Sequence, residues 1–372
     1  MKGLFLNILL ILFLAVPARA ALRKDLAAAG DLIYSARFEE AEKRLLKIRE
    51  ASPRDVAPAF FLAVGKLGEI AFKGEDEASL SELDRRIEEC CALSEEKLSG
   101  EAEGETCLFA GASFLLRSSM EARRERYGEA LFWAKKALLL FRKAAETPEC
   151  APDAVMLKAA YDCVCASAPW PLNLGLDWIV SQSNVQNDLA LIEEQLPAFP
   201  VFEREMRIFL IFEYSRLGYP SCALGHLKKL RSSLKDSPFL DIIALRTDMS
   251  AGNRRGAYAA ATNLYAKTIS RKSHKPLRAD AAFLAGSAAF SQGNVKEAEK
   301  WFEITLKEGG LKPRAQAAAQ LMLGKCADAR GEREEALRRY ALVHLHKGAS
   351  PVLKSLTTKL QRSPGDPRQT IY

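Results

Sequence analysis

The stretch from Ala282 to Pro313, AFLAGSAAFSQGNVKEAEKWFEITLKEGGLKP, constrains the fold more than any other part of the chain. Its first half sets small residues (Ala282, Ala285, Gly286, Ala289) where a neighbouring helix must come close, and Phe283 and Phe290 fill the space between. Gln292-Gly293-Asn294 then supplies residues that tolerate the positive φ that stops a helix. The second half restarts with Glu297, Ala298, Trp301, Phe302, Thr305 and Leu306 on one face at helical spacing, and lysines and glutamates on the other. The pattern predicts two antiparallel helices packed closely through small side chains, with Phe302 reaching into the next pair and Pro313 opening it.

The pattern recurs. Gly331 and Ala336 each lie 38 residues after Gly293 and Ala298, and Gly324, Ala336 and Tyr340 repeat the roles of Gly286, Ala298 and Phe302. Upstream, Gly252 and Ala257 precede Leu264, and Gly218 and Ala223 precede Leu227 and Leu230, with 34 residues from Gly218 to Gly252. Near the start, Ala36-Arg37-Phe38-Glu39-Glu40-Ala41 leads to Leu45, Ile48 and Pro53 as turn, second helix and closing proline. On these residues the chain resembles the tetratricopeptide (TPR) repeat family, whose unit is a helical hairpin of about 34 residues. The resemblance implies an all-α fold, a right-handed α-α superhelical solenoid of TPR-like helical hairpins. Such a solenoid has a concave groove, lined by the first helix of each pair, that binds a partner protein or peptide.

The first 20 residues, MKGLFLNILLILFLAVPARA, combine Lys2, an apolar run from Leu4 to Val16 and the small-x-small site Ala18-Arg19-Ala20. They read as a signal peptide cut between Ala20 and Ala21, which gives a periplasmic or secreted address. The run is short for a membrane span and no second one follows, so no stable span is expected after cleavage. The formal charge of +7 drops to +5 without Lys2 and Arg19, mild for this length. With no arginine–aromatic platform either, nucleic-acid binding is unsupported.

The expected organisation is residues 1–20 as signal peptide, 21–147 as N-terminal TPR-like repeats, 148–200 as an irregular central helical segment, 201–347 as regular C-terminal repeats, and 348–372 as a last helix and tail. The central segment contains Ala168-Pro169-Trp170-Pro171, where two prolines around a tryptophan break the helical period. Residues 105–235 also resemble bacterial secreted or envelope TPR proteins of unassigned activity. The resemblance rests on Gly111-Ala112, the basic stretch Arg123 to Arg126, Tyr127 to Ala130 with Lys135-Lys136, the entry from Pro148 to Ala154, Trp170-Pro171 and Leu196-Pro197. It departs at Asp162-Cys163-Val164-Cys165, which replaces a tyrosine-rich helix.

Little in the chain carries chemistry. Cys163 and Cys165 are two apart and point to different helix faces, unlike a C-x-x-C redox or zinc site. Cys90 or Cys91 could meet Cys107 across a hairpin turning near Ser99–Gly104, but about one helical turn out of register, so pairing stays open. No triad, phosphate loop or H-E-x-x-H motif is present, so no catalytic, metal or cofactor residue is named and an enzyme is not expected. The expected function is a non-enzymatic scaffold, with Lys325 and Arg330 as examples of groove-facing polar positions. The rival is a small-molecule or lipid pocket around Trp170 and Trp178.

Overall fold

The computed structural model describes residues 20–74, 76–100, 103–148, 150–166, 184–196, 203–235, 237–269, 275–308, 313–346, 349 and 351–363. Every regular element among them is a helix. In chain order these are α1 (Ala20–Tyr34), α2 (Phe38–Ala51), α3 (Val56–Lys73), α4 (Glu77–Leu98), α5 (Gly104–Arg123), α6 (Tyr127–Ala145), α7 (Ala151–Ala166), α8 (Val185–Gln195) and α9 (Glu203–Leu217). They continue with α10 (Pro220–Ser233), α11 (Pro238–Ser250), α12 (Arg254–Ile269), α13 (Lys275–Ser291), α14 (Val295–Lys307), α15 (Pro313–Ala329), α16 (Arg333–Leu345) and α17 (Pro351–Arg362). The contacts divide them into two units. The first holds residues 1–69, 77–213 and 226–235, and the second 70–76, 214–225 and 236–372.

Six of the hairpins share one turn. Gly218, Gly252, Gly293 and Gly331 have φ of 82°, 76°, 83° and 79°, and Ala36 and Glu125 hold the same place at 57° and 65°. At Gly293 the amide donates to Phe290 O (2.9 Å), and the next, Asn294, to Ala289 O (3.0 Å). The same two bonds, reaching three and five residues back, recur at all six positions. This is the Schellman arrangement, which satisfies the last carbonyls of the first helix. Five residues after each left-handed residue stands an alanine: Ala41, Ala130, Ala223, Ala257, Ala298 and Ala336. Its amide donates to the residue four before it, which starts the second helix in a fixed phase.

That phase places the alanine against the preceding helix, and all six are buried. In the second unit the packing is serial: α12 against α13, α13 against α14, α14 against α15, α15 against α16 and α16 against α17. Alternate helices also touch, α11 with α13, α13 with α15 and α15 with α17. The first helices therefore form a continuous row, as an α-solenoid requires. Phe302 performs two tasks. Its ring lies over Gly286 of its own hairpin and joins Met322, Leu323 and Cys326 of α15 in one buried cluster.

The first unit uses the same hairpins with more charge. Neighbouring second helices are tied by Arg86 to Glu42 and Arg49 to Glu89 between α2 and α4, and by Lys136 to Glu95 (2.6 Å) between α6 and α4. Gly65 and Gly68 of α3 leave room for Ile33 of α1, and Phe60 and Phe61 stack against Phe109 of α5 at 6.1 and 6.4 Å. Around the central segment, α7 and α8 are described and pack on each other. Trp170 and Trp178 lie outside the described residues, as do residues 1–19, on which the expected signal peptide falls.

Candidate partner-binding surface

Counting back six residues from the turn glycines at 252, 293 and 331 gives Arg246, Ser287 and Lys325, one equivalent position on each of α11, α13 and α15. Arg246 is exposed, whereas Ser287 is buried and Lys325 is only 5% exposed. The Lys325 amine sits 5.6 Å from the ring centre of Phe290 on α13. Its stem is packed between first helices and its charge rests on an aromatic face. Arg330 stands at the turn after α15 and pairs with Glu299 of α14 and with Glu332 (2.7 Å). Both residues singled out from the sequence thus join neighbouring hairpins, and Arg246 is the exposed member of the equivalent set.

A second polar seam runs along α12 and α14. Tyr258 Oη donates to Glu297 Oε1 (3.0 Å), Trp301 Nε1 donates to the same oxygen (3.0 Å), and Tyr265 Oη donates to Glu308 Oε1 (2.6 Å). Arg278 of α13 completes it on Glu308 at 3.1 Å. Burial, with the Glu308 carboxylate beside it, pushes the Tyr265 hydroxyl up to about 12. It stays a neutral donor, and the seam is a joint between repeats.

Sequence reasoning missed an aromatic box in the first unit. The Lys136 amine lies 5.0, 5.2 and 4.9 Å from the ring centres of Phe114, Phe132 and Trp133. The signal was available in Phe132-Trp133-x-x-Lys136, which sets rings and ammonium one helical turn apart. The box is occupied by the chain's own lysine, which Glu95 also holds.

Two titratable groupings in the first unit bear on catalysis. Glu205 of α9 is wholly buried beside the Tyr34 hydroxyl of α1. Burial pushes its carboxyl up to about 8, against the pull of its own backbone amide, Arg204 and Tyr34. His226 of α10 stands between Glu193 of α8 (2.8 Å) and Arg207 of α9 (3.0 Å), and burial lowers its pKa. Neither grouping places a nucleophile beside a base at a surface.

All eight cysteines are free thiols, and only Cys222 is exposed. Cys90 Sγ meets Ser113 Oγ at 2.8 Å, six residues along α5 from Cys107, so the facing helices meet out of register for that pair. Burial pushes the thiols of Cys90, Cys165 and Cys326 up to about 12, which leaves none as a thiolate near neutrality.

Among the described residues no cluster of three or more His, Cys, Asp or Glu could hold a metal, and no helix is long and apolar enough to cross a membrane. An open concavity of about 500 Å³ lies along α4, lined by Ala78, Ser81, Glu82, Asp84, Arg85 and Glu88.

No family model and no curated protein matches the sequence. Among solved structures, 22 chains match. One belongs to the crystal structure of the APC/C hetero-tetramer Cut9–Hcn1, at 13% identity over 91% of this chain and 93% of that one, with a TM-score of 0.21. At that score the likeness carries no weight, and the assignment of TPR-like helical hairpins rests on the six shared turns and the serial packing of this chain.

Proposed function

We propose that the chain is a non-enzymatic scaffold that receives an extended segment or helix of a partner protein along its row of first helices. One observation carries this reading. The second unit presents α11, α13, α15 and α17 in unbroken succession, the first three in the same register to their turns, with no convergent chemistry on their described residues. A row of equivalent positions recognises another repeating object, and a peptide is one. Arg246 is the exposed basic member of the equivalent set and the contact we assign to an acidic group of that segment. The N-terminal charged-then-apolar pattern supports a secreted or envelope setting for the encounter.

The test is crosslinking in intact cells with the mature chain tagged at its C-terminus. Recovery of the same protein repeatedly, and its loss with Arg246→Glu, supports the scaffold. A lipid or small molecule that co-purifies and quenches tryptophan fluorescence, with no protein partner recovered, replaces it with a pocket around Trp170 and Trp178.

A further inference from the structure

The first unit holds a contact that a simple stack does not need. Its row of first helices begins with α1 and ends with α9, four hairpins later. Successive hairpins meet through local contacts, Ile33 against Gly65 and Gly68, then Phe60 and Phe61 against Phe109. Yet α1 also touches α9 directly. Arg204 pairs with Asp31 across 173 positions of sequence, and the buried carboxyl of Glu205 faces the buried hydroxyl of Tyr34. Asp31 and Tyr34 lie three apart on α1, and Arg204 and Glu205 are adjacent on α9, so the ion pair and the two buried groups meet at one crossing.

We infer that this crossing is a clasp, in which the Asp31–Arg204 ion pair, set over the buried Tyr34 and Glu205, joins the first and fifth hairpins and closes the inner face of the first unit until the clasp opens. The two pairs differ in kind. Asp31 and Arg204 are partly exposed, so their attraction is weak, screened by salt and quickly broken. Tyr34 and Glu205 are buried, so once apart they must be rehydrated or re-paired. A weak outer pair over a buried inner pair suits a contact that opens as a unit. The clasp rests on the scaffold reading only for what the opened face would receive.

Opening can be read without a partner. Spin labels go on Leu46→Cys of α2 and Lys228→Cys of α10, both exposed, in a Cys222→Ser background that leaves only buried native thiols. One narrow distance is expected. Arg204→Glu, which sets two carboxylates against each other, should add a population at longer distance. The exchange Asp31→Arg with Arg204→Asp should remove it. Identical distributions in the parent and Arg204→Glu overturn the clasp, and so does an exchange variant that stays open. If Arg204→Glu loses its helical circular dichroism, Arg204→Gln takes its place. Raised salt should then lengthen the parent distance and leave the Gln variant unmoved, and no response to either change overturns the proposal. Loss of partner capture with normal opening would instead count against the scaffold reading alone.

Discussion

A Cβ placed on Gly324 would lie 2.4 Å from Cε1 of the Tyr340 ring. The same encounter occurs at Gly286 with Phe302 (2.8 Å) and at Gly111 with Phe141 (2.6 Å). Gly286 and Gly324 stand seven residues before their turns, and Phe302 and Tyr340 nine after them. In the longer α5–α6 hairpin the glycine is fourteen before and the ring sixteen after, two helical turns further along each arm. The contact therefore belongs to the hairpin geometry and can move up it in steps of two turns.

Gly324→Ala should destabilise the chain by about 2 kcal/mol, because overpacking against the ring outweighs the roughly 1 kcal/mol that alanine gains in a helix. Gly225 of α10 has nothing within 4 Å of its would-be Cβ, so Gly225→Ala should stabilise by about 0.5–1 kcal/mol. Urea titrations of the two variants check this, and shifts of the same sign would refute the contact.

The hairpin grammar was legible in the sequence because sterics impose it: a left-handed turn asks for glycine, and a close crossing asks for a small residue. At Ala36 it was legible without the glycine, from the Ala41, Leu45 and Ile48 that follow, although only the structure shows that Ala36 and Glu125 take the left-handed conformation themselves. Lys325 was named as a polar position on a first helix, and that pattern could not tell that its stem is packed while the amine rests on a ring. The Arg204–Asp31 and Glu205–Tyr34 pairings were out of reach, since no local periodicity links residues four hairpins apart.

Ala36 adopts a φ of 57° in a turn where four of its counterparts are glycine. A left-handed alanine carries a strain of about 1 kcal/mol, partly offset by its stiffer unfolded chain. Ala36→Gly should raise stability by about 0.5 kcal/mol, and Gly293→Ala should lower it by about 1 kcal/mol. Thermal melts of the pair decide the matter, and a loss at Ala36→Gly would mean that its turn is held by something other than backbone conformation.

Burial holds the Glu205 carboxyl at about 8, above the ordinary 4.5. The folded chain therefore binds its proton more tightly than the unfolded chain does. The stability it contributes is full below pH 4.5 and is lost as pH rises to about 8. The loss is on the order of a few kcal/mol. Buried His226, whose pKa is lowered, acts in the opposite sense below its ordinary value of 6.5, so the difference between parent and variant is the informative quantity. Glu205→Gln should flatten the decline and be the more stable form at pH 8.5. Parallel stability curves for the two proteins would place the pH dependence elsewhere.

Arg333 ties the last helix to the stack. Its Nη2 donates to the carbonyls of Leu360 (2.7 Å) and Gln361 (2.8 Å), at the end of α17 where carbonyls lack helical partners. Its Nη1 holds both Asp328 oxygens at 2.9 Å, and Asp328 in turn accepts the Tyr340 hydroxyl at 2.8 Å. The guanidinium is a planar fork that meets carbonyls on one side and a carboxylate on the other, which a lysine ammonium cannot reproduce. Arg333→Lys should therefore cost nearly as much as Arg333→Ala, about 1–3 kcal/mol, and the loss should be local. Hydrogen exchange should rise across 351–363 in both variants and stay unchanged in α13 and α14, because a terminal helix of a repeat stack unfolds without its distant neighbours. Uniform acceleration through the second unit would show that the network supports the whole stack and not its end.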